Sequence, residues 1–288
     1  MPWDRNIASN QMVSYLEAST SGIPLLSGQS HFTTLPAANQ CMTKANMQAK
    51  YNLNATNLST YSSNQLVPRS DWAAGFSVPT FIANGTPSLY STGTALIPYP
   101  STVSAGDFII LSVRAETLNK IDVPSGFTLI PPDDANAGLP MDYANYYKFA
   151  SGSEGGTSVT VTCPSVTLRI CGMITQYRNV NTSIPFSPSP VYFNNDFETT
   201  IFTNSGGTSS AANQLGVALF SISTPSISSV SSSTWTYRGG GTFSAGQSHA
   251  LVFATQEMPT SGTSAGTITV NVPAQTAGTV WTLFLNPV

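Results

Sequence analysis

The hydrophobic and polar positions of this chain group into short apolar runs separated by turns rich in Gly, Ser and Asn. One unbroken apolar run follows a turn signal within Ser104–Glu116. Ser244–Gln256 repeats that opening and its apolar core, and Ser210–Ile222 is a looser third version. Short apolar runs bounded by such turns are typical of strands covered on both faces. The three stretches therefore predict strands in the middle of a sandwich.

From about residue 78 onward the same pattern predicts a succession of short strands without helical crossovers. Glycine-rich breaks, among them the triple glycine 239–241, offer the positive φ angles that hairpins need. Alternation in Ser158–Cys163 places Val159 and Val161 on one face. The predicted strands are Ser88–Pro98, Asp107–Glu116, Phe127–Ile130, Met141–Ala150, Thr157–Cys163, Leu168–Arg178, Tyr192–Thr203, Leu215–Ser223, Ile227–Tyr237, His249–Gln256, Thr267–Val272 and Thr279–Leu285. This pattern predicts an all-β, antiparallel β-sandwich or jelly-roll-like domain over residues 76–288.

Residues 1–75 have a different pattern, which predicts an extended N-terminal arm with two short helices. Thr43 can cap the first helix, and Asn54 or Thr56 can cap the second. Helices of this length are unstable without a packing partner. We therefore expect the arm to contact neighbouring subunits through its large apolar side chains, which are Trp3, Leu25, Leu26, Met47, Leu58 and Trp72.

The composition is poor in charge. Only 8% of the 288 residues are charged, against about 25% in an average soluble domain. A net charge of −3 without a cluster of Lys or Arg argues against a surface for nucleic acid or an acidic membrane. No apolar run approaches the ~20 residues of a membrane span, and the start lacks the pattern of a secretory leader. Low charge also weakens repulsion between copies, so we expect an assembled subunit.

The sequence offers no convincing catalytic or metal site. Gly262–Gly266 matches the G-x-S-x-G pattern of a nucleophile elbow, but no acid or histidine lies beyond Ser264 to complete a triad. His31 and His249 have no neighbouring side chain at the spacing of metal ligands. We therefore predict no enzyme, no cofactor and no metal.

Two groups of carboxylates are open to a functional or a purely solvating role. Asp133, Asp134 and Asp142 could offer oxygen ligands to Ca²⁺, but they lack the ligand spacing of a calcium loop. Asp196 and Glu198 would serve a hydrolase only with a partner acid across a groove. A solvated turn is the prediction for the first group, and a purely solubilising role is the prediction for the second.

Three cysteines, Cys41, Cys163 and Cys171, are too few and too scattered for a disulfide framework. Cys163 and Cys171 flank a turn and could face each other across a hairpin. We predict two buried thiols rather than a disulfide bond.

Aromatic residues form the one pattern that suggests a ligand. Tyr143, Trp235 and Tyr237, with Tyr146 and Tyr147 nearby, could stack on the C–H face of a sugar while amides bind its hydroxyl groups. Alternation along a strand directs about half of such rings into the core. The first three are the candidate glycan contacts.

Several stretches of the chain resemble β-sandwich modules of phage tail, fibre and head-decoration proteins. Two further stretches are similar to segments in structural proteins of phages that infect Bacteroidota. The first group is Gly126–Ile130, Tyr146–Ala150, Gly152–Thr157 and Gln176–Val180, and the second is Asn39–Lys44 and Ser63–Pro68. The resemblance implies a virion protein without catalytic residues, in an oligomer that we expect to be a trimer.

Together these features predict a non-enzymatic virion protein whose β domain is displayed and whose arm contacts other copies and other virion proteins. One alternative is a host-receptor or glycan-binding tip, with loops Asp133–Tyr143 and Trp235–Gly241 as its surface. A second alternative is a capsid shell protein with two jelly rolls, which requires each half of the chain to close separately.

Overall fold

The computed structural model describes residues 78–90, 93–115, 121–131, 134–135, 142–163, 169–186, 191–204, 206–243 and 249–288. All regular secondary structure in these residues consists of β-strands, which confirms the predicted all-β fold. The predicted arm, with its two helices and its six anchoring side chains, lies outside them. The strands are β1 (Thr80–Asn84), β2 (Ser88–Tyr90), β3 (Thr94–Pro98), β4 (Phe108–Ala115), β5 (Thr128–Leu129), β6 (Asp134–Ala135), β7 (Asp142–Phe149), β8 (Ser158–Thr162), β9 (Ile170–Arg178), β10 (Val191–Thr203), β11 (Gln214–Ile222), β12 (Ser229–Ser232), β13 (Thr236–Phe243), β14 (His249–Met258) and β15 (Ile268–Leu285).

These strands form two large antiparallel sheets and one two-stranded ribbon. The seven-stranded sheet has the order β1-β9-β4-β7-β5, with β2 beside β9 and β6 beside β7. The six-stranded sheet has the order β10-β15-β11-β14-β13, with β12 beside β15, and β3 pairs with β8 in the ribbon. Each half of the chain thus supplies one large sheet. The separately closed halves of a double jelly roll do not have this arrangement.

The two large sheets pack face to face around the central hydrophobic core. Ring contacts cross the interface, with the Tyr143 and Trp281 ring centroids 6.2 Å apart in an edge-to-face arrangement. Burying a large apolar side chain stabilises a fold by about 1.5–3 kcal/mol, so this layer is a main source of stability. Its buried members include Phe108, Ile110, Cys171, Met173 and Tyr177 from the first sheet and Leu215, Val217, Leu219, Leu251, Phe253, Trp281 and Leu283 from the second.

The ribbon of β3 and β8 covers the opposite face of the seven-stranded sheet. Val159 and Val161 of β8 point inward while their neighbours face solvent, which confirms the predicted alternation. They pack with Ala95 and Ile97 of β3 in a second hydrophobic cluster. The seven-stranded sheet is therefore the middle layer of three.

The outer face of the six-stranded sheet is covered by the sheet itself. Val270 and Val280 belong to opposite ends of the long strand β15, yet both lie in one cluster with Phe220 and Trp235. The sheet must therefore curl back over its own outer face. Strong twist and coiling of this kind are normal for antiparallel sheets.

The three apolar runs within Ser104–Glu116, Ser210–Ile222 and Ser244–Gln256 correspond to β4, β11 and β14. Every residue of β4 and β11 is buried, as are the first seven of β14. β4 is the central strand of the first sheet, and β11 is the central strand of the second. The prediction of strands covered on both faces is confirmed.

The triple glycine 239–241 does not form the predicted turn but lies inside β13. Gly239 has a φ of +124° at a bulge, where the pairing with β14 shifts register. A Cβ atom on Gly240 would lie 2.2 Å from the Leu251 carbonyl oxygen, and one on Gly241 would lie 2.4 Å from Pro87. These glycines allow close backbone approach, a second role of Gly in strands.

The two last predicted strands are the ends of one strand, β15. Pro273 lies between Asn271 and Thr276, which pair with Ile201 and Thr199 of β10 on either side of a register shift. Because proline has no N–H group to donate, it is tolerated at such an irregularity. The proline therefore marks a bend in the strand rather than its end.

The three-layer arrangement predicts different costs for two adjacent substitutions in β3. Ile97 is fully buried under the ribbon, whereas Leu96 is 48% exposed on its outer face. Ile97→Ala should lower the free energy of unfolding by about 2–5 kcal/mol, and Leu96→Ala by no more than about 0.5 kcal/mol. Urea unfolding of both variants measures the difference. Equal, small losses would show that the ribbon does not pack on the sheet.

Candidate functional site

A polar cluster lies between the two large sheets, at one end of the apolar interface. Arg114 of β4 is 4% exposed. Its Nη1 donates to the Ser221 Oγ atom at 2.9 Å, and its Nη2 donates to the Ser223 Oγ atom. These hydrogen bonds join the central strand of one sheet to β11 and its following loop. The buried arginine therefore acts in this structure as a polar connection between the sheets.

Three more buried polar groups lie on the inner face of the seven-stranded sheet. Asn145 accepts hydrogen bonds at its Oδ1 atom from the Ser112 hydroxyl, at 2.6 Å, and from the Tyr143 hydroxyl, at 3.1 Å. Burial raises the pKa of Tyr143, so its hydroxyl keeps its proton. Buried polar groups need such partners to avoid a desolvation cost.

His249 is fully buried at the start of β14. Burial is the main cause that lowers its pKa, to about 3, and the positive charges of Arg114 and Arg169 lower it further. The imidazole is therefore neutral at physiological pH. A fully buried ring in this electrostatic environment is not placed to exchange protons with a substrate.

The buried histidine predicts a loss of stability in mild acid. The unfolded chain binds a proton near the ordinary pKa of 6.5, which the buried ring accepts only near pH 3. Stability is therefore complete above about pH 6.5 and falls as pH decreases, by about 2 kcal/mol at about pH 5. Urea unfolding at several pH values measures this loss.

The matched variants use the two histidines of the chain. His249→Gln should remove most of this pH dependence above about pH 5, below which carboxylates also titrate. His31→Gln should retain it. An unchanged slope in the His249→Gln variant would contradict the assignment.

A carboxylate network closes one corner of the seven-stranded sheet. Asp107, which is 1% exposed, accepts hydrogen bonds from the Arg178 Nε and Nη2 atoms at 2.7 and 2.9 Å and from the Gln176 amide at 2.6 Å. The backbone N–H of Ser104 donates to it as well. Burial alone would raise the pKa of Asp107, but these donors outweigh it and hold the pKa below its ordinary value.

The neighbouring turn, Ser151–Thr157, contains a second ion pair. Lys148 Nζ lies 2.8 Å from the Glu154 carboxylate and 5.5 Å from the Phe127 ring centroid. Burial alone would raise the pKa of Glu154, but the hydrogen bonds from Lys148 and from the Ser151 backbone lower it to about 2. The two networks use residues from four stretches of the sequence, which are Gly126–Ile130, Tyr146–Ala150, Gly152–Thr157 and Gln176–Val180. Those stretches therefore meet in a structural corner.

An open polar groove lies beside β13, which is an edge strand of the six-stranded sheet. Its volume is about 370 Å³. It contains three hydroxyl groups, one guanidinium, one amide and one carboxylate. The lining residues are Thr234, Thr236, Arg238, Thr255, Gln256 and Glu257.

The side chain of Arg238 is held in place by its surroundings. Arg238 is the extra residue of the bulge between Tyr237 and Gly239, and a bulge redirects the side chain it carries. Its Nε atom donates to the Thr255 Oγ1 atom at 2.7 Å, and its guanidinium lies 5.1 Å from the Phe81 ring centroid. The groove therefore holds an oriented cation.

Gln256 is oriented as well. Its Oε1 atom accepts hydrogen bonds from the Gly266 backbone N–H at 3.0 Å and from the Thr234 hydroxyl at 3.4 Å. The amide NH₂ group is then left on the other side of the side chain. Glu257, in the same groove, is exposed. The groove thus combines donors and acceptors.

The structure separates the three candidate glycan contacts. Tyr143 is 3% exposed between the sheets, and Trp235 is 6% exposed in the outer cluster, where its Nε1 atom donates to the Gly266 carbonyl oxygen at 2.6 Å. Burial corrects the expectation that these two rings offer a stacking surface. Tyr237 is 51% exposed, and its glycan contact stays a prediction.

The other candidate residues lie apart from the groove. Cys163 and Cys171 are buried thiols that form no disulfide bond, as predicted, and they lie in the clusters on opposite faces of the seven-stranded sheet. Ser264 follows the turn at Ser261 and Gly262 and forms an isolated bridge with Thr208. Four of the five candidate carboxylates have no described side chain, namely Asp134, Asp142, Asp196 and Glu198, and Asp133 lies outside the described residues together with His31 and Cys41.

The described residues offer neither a metal-binding cluster nor a membrane-spanning helix. They contain no group of three or more His, Cys, Asp or Glu that could hold a metal ion. Within the same ranges there is no helix long and apolar enough to cross a membrane. No protein-family model, curated protein or solved structure matches this chain.

Proposed function

We propose that this chain is a non-enzymatic structural subunit of a phage particle, in which residues 76–288 are displayed and residues 1–75 contact neighbouring subunits. It serves as a capsid-decoration, tail or fibre component. Its partners are other copies of the same chain, in an oligomer that is proposed to be a trimer, and other virion proteins. The resemblance of its sequence stretches to phage modules supports the choice of particle.

One observation carries the non-enzymatic part of the proposal: the described histidine, both described cysteines and the buried charged side chains Asp107 and Arg114 are used to build the fold. His249 and both described cysteines are buried in the core. Asp107 is occupied by Arg178 and Gln176, and Arg114 joins the two sheets. Groups held in this way stabilise a rigid domain and are withheld from substrates.

The composition supports a subunit whose surface is in contact with other proteins. Charged residues make up only 8% of the chain, and protein interfaces are depleted in charge at their centres. The polar positions are filled by hydroxyl groups and amides, which lose less solvation than ions when another subunit covers them. A charge-poor surface therefore suits a subunit fixed in an assembly.

Removal of residues 1–75 tests this division of roles. Because three hydrophobic clusters of the described residues are built within residues 81–285, the shortened chain should fold, with a cooperative thermal transition close to that of the full chain. It should no longer form oligomers or enter particles. Light scattering after size-exclusion chromatography and the composition of purified particles measure the two properties.

A full-length control separates the length of the arm from its chemistry. In this variant, Ser replaces the six proposed anchors, which are Trp3, Leu25, Leu26, Met47, Leu58 and Trp72. It should fold and fail to assemble, as the shortened chain does. Normal occupancy of particles by either variant would overturn the proposed role of the arm.

A further inference from the structure

We infer that the groove beside β13 binds an acidic saccharide, a pyranose with one carboxylate, and that Arg238 binds this carboxylate. The inference goes beyond the structural role, because it concerns a ligand of the displayed domain and does not require assembly. It rests on the position of Arg238, on the polar lining and on the charges within the groove.

Arg238 has terminal nitrogen atoms that are available to bind a ligand. Its Nε atom binds Thr255, whereas its Nη1 and Nη2 atoms make no hydrogen bond or ion pair with any residue that the structure describes. The two terminal nitrogens of a guanidinium form a planar fork that matches a carboxylate. The free fork is therefore the anion-binding element of the groove.

The fork is already oriented before a ligand arrives. The Asn84 Nδ2 atom donates to the Arg238 carbonyl oxygen at 2.6 Å, and Phe81 packs on the guanidinium. A Cβ atom on Gly239 would lie 2.7 Å from the same Asn84 nitrogen. Glycine thus permits the contact that fixes the bulge. A pre-oriented group loses less conformational entropy when it binds.

The rest of the lining favours a hydroxylated ligand over other anions. Thr234, Thr236 and the Gln256 amide can exchange hydrogen bonds with sugar hydroxyl groups, and Glu257 can accept one. A phosphate dianion would be repelled by Glu257. The C-terminus of a peptide would need an apolar pocket for its last side chain, and all six lining residues are polar.

The charges also limit the ligand to a single carboxylate. Arg238 and Glu257 line the same groove but do not form an ion pair with each other. A ligand with one carboxylate at the arginine and hydroxyl groups towards the glutamate satisfies both. The groove volume, about 370 Å³, lies at the small end of ligand sites and suits one or two sugar rings.

The test compares sugars that differ only in the carboxylate. The full-length chain is titrated with the methyl glycosides of glucuronic and galacturonic acid and, in parallel, with methyl glucoside and methyl galactoside. Calorimetry and amide chemical shifts report binding. We expect at least one acidic sugar to bind at least about tenfold more tightly than its neutral counterpart.

Variants assign the binding to the groove. Arg238→Gln should lower the affinity for the acidic sugar by at least about tenfold. Arg238→Lys should retain only part of the affinity, since lysine lacks the planar fork. Arg178→Gln is the matched control, because it removes the same charge on the other sheet. It should bind as the unmodified chain does, and thermal unfolding checks that each variant is folded.

Three results would overturn the inference. One is equal binding of acidic and neutral sugars. Another is unchanged binding in folded Arg238→Gln, including the case in which Tyr237→Ala alone abolishes it. The third is no binding of any acidic sugar at concentrations well above about 10 mM, where even a millimolar site is occupied. Assembly of the particle is measured separately, so failure here leaves the structural role unaffected.

Discussion

Burial of the seven-stranded sheet on both faces is the constraint on which the rest of this structure depends. The ribbon of β3 and β8 covers one face, and the six-stranded sheet covers the other. The central strand, β4, is therefore buried along its whole length, which explains why most of its residues are apolar. The same constraint leaves the second sheet to cover its own outer face, which it does by curling along β15. The curl in turn buries Trp235 and defines the edge on which the groove lies.

Double burial also determines where polar chemistry can occur. Ser112 and Arg114 point from β4 into the interface, so each must find a partner there, and the Ser221 and Asn145 side chains provide it. If one of these side chains turned away to bind a ligand, its partner would be left as a buried, unpaired polar atom, at a cost of about 1–3 kcal/mol. A polar group able to meet a ligand has to lie at an edge. Arg238 is in that position because it is the extra residue of a bulge in an edge strand.

Patterning alone predicts the fold class and most strands, because apolar runs and alternation report directly on burial. It fails where Gly and Pro have uncommon roles: the triple glycine 239–241 allows close backbone approach inside β13, and Pro273 lies at a register shift in β15. The groove is not predictable from sequence. Its residues come from two separate stretches of chain, 234–238 and 255–257, and the Arg-Gly-Gly-Gly sequence at its bulge locally indicates a turn. The prediction of Tyr143 and Trp235 as ligand contacts failed for a different reason. Alternation shows that one face of a strand is buried, but it does not show which face.

The central claim is that the β domain folds without its neighbours and that the proposed arm, residues 1–75, attaches it to them. The most direct test is hydrogen–deuterium exchange on the full-length chain, free and within purified particles. The free chain should already show its slowest exchange in the central strands β4, β9, β11 and β14, and these amides should change little on assembly. Protection gained in the particle should fall within residues 1–75. If the central strands exchange rapidly in the free chain and become protected only in the particle, the core depends on its neighbours and the account is contradicted.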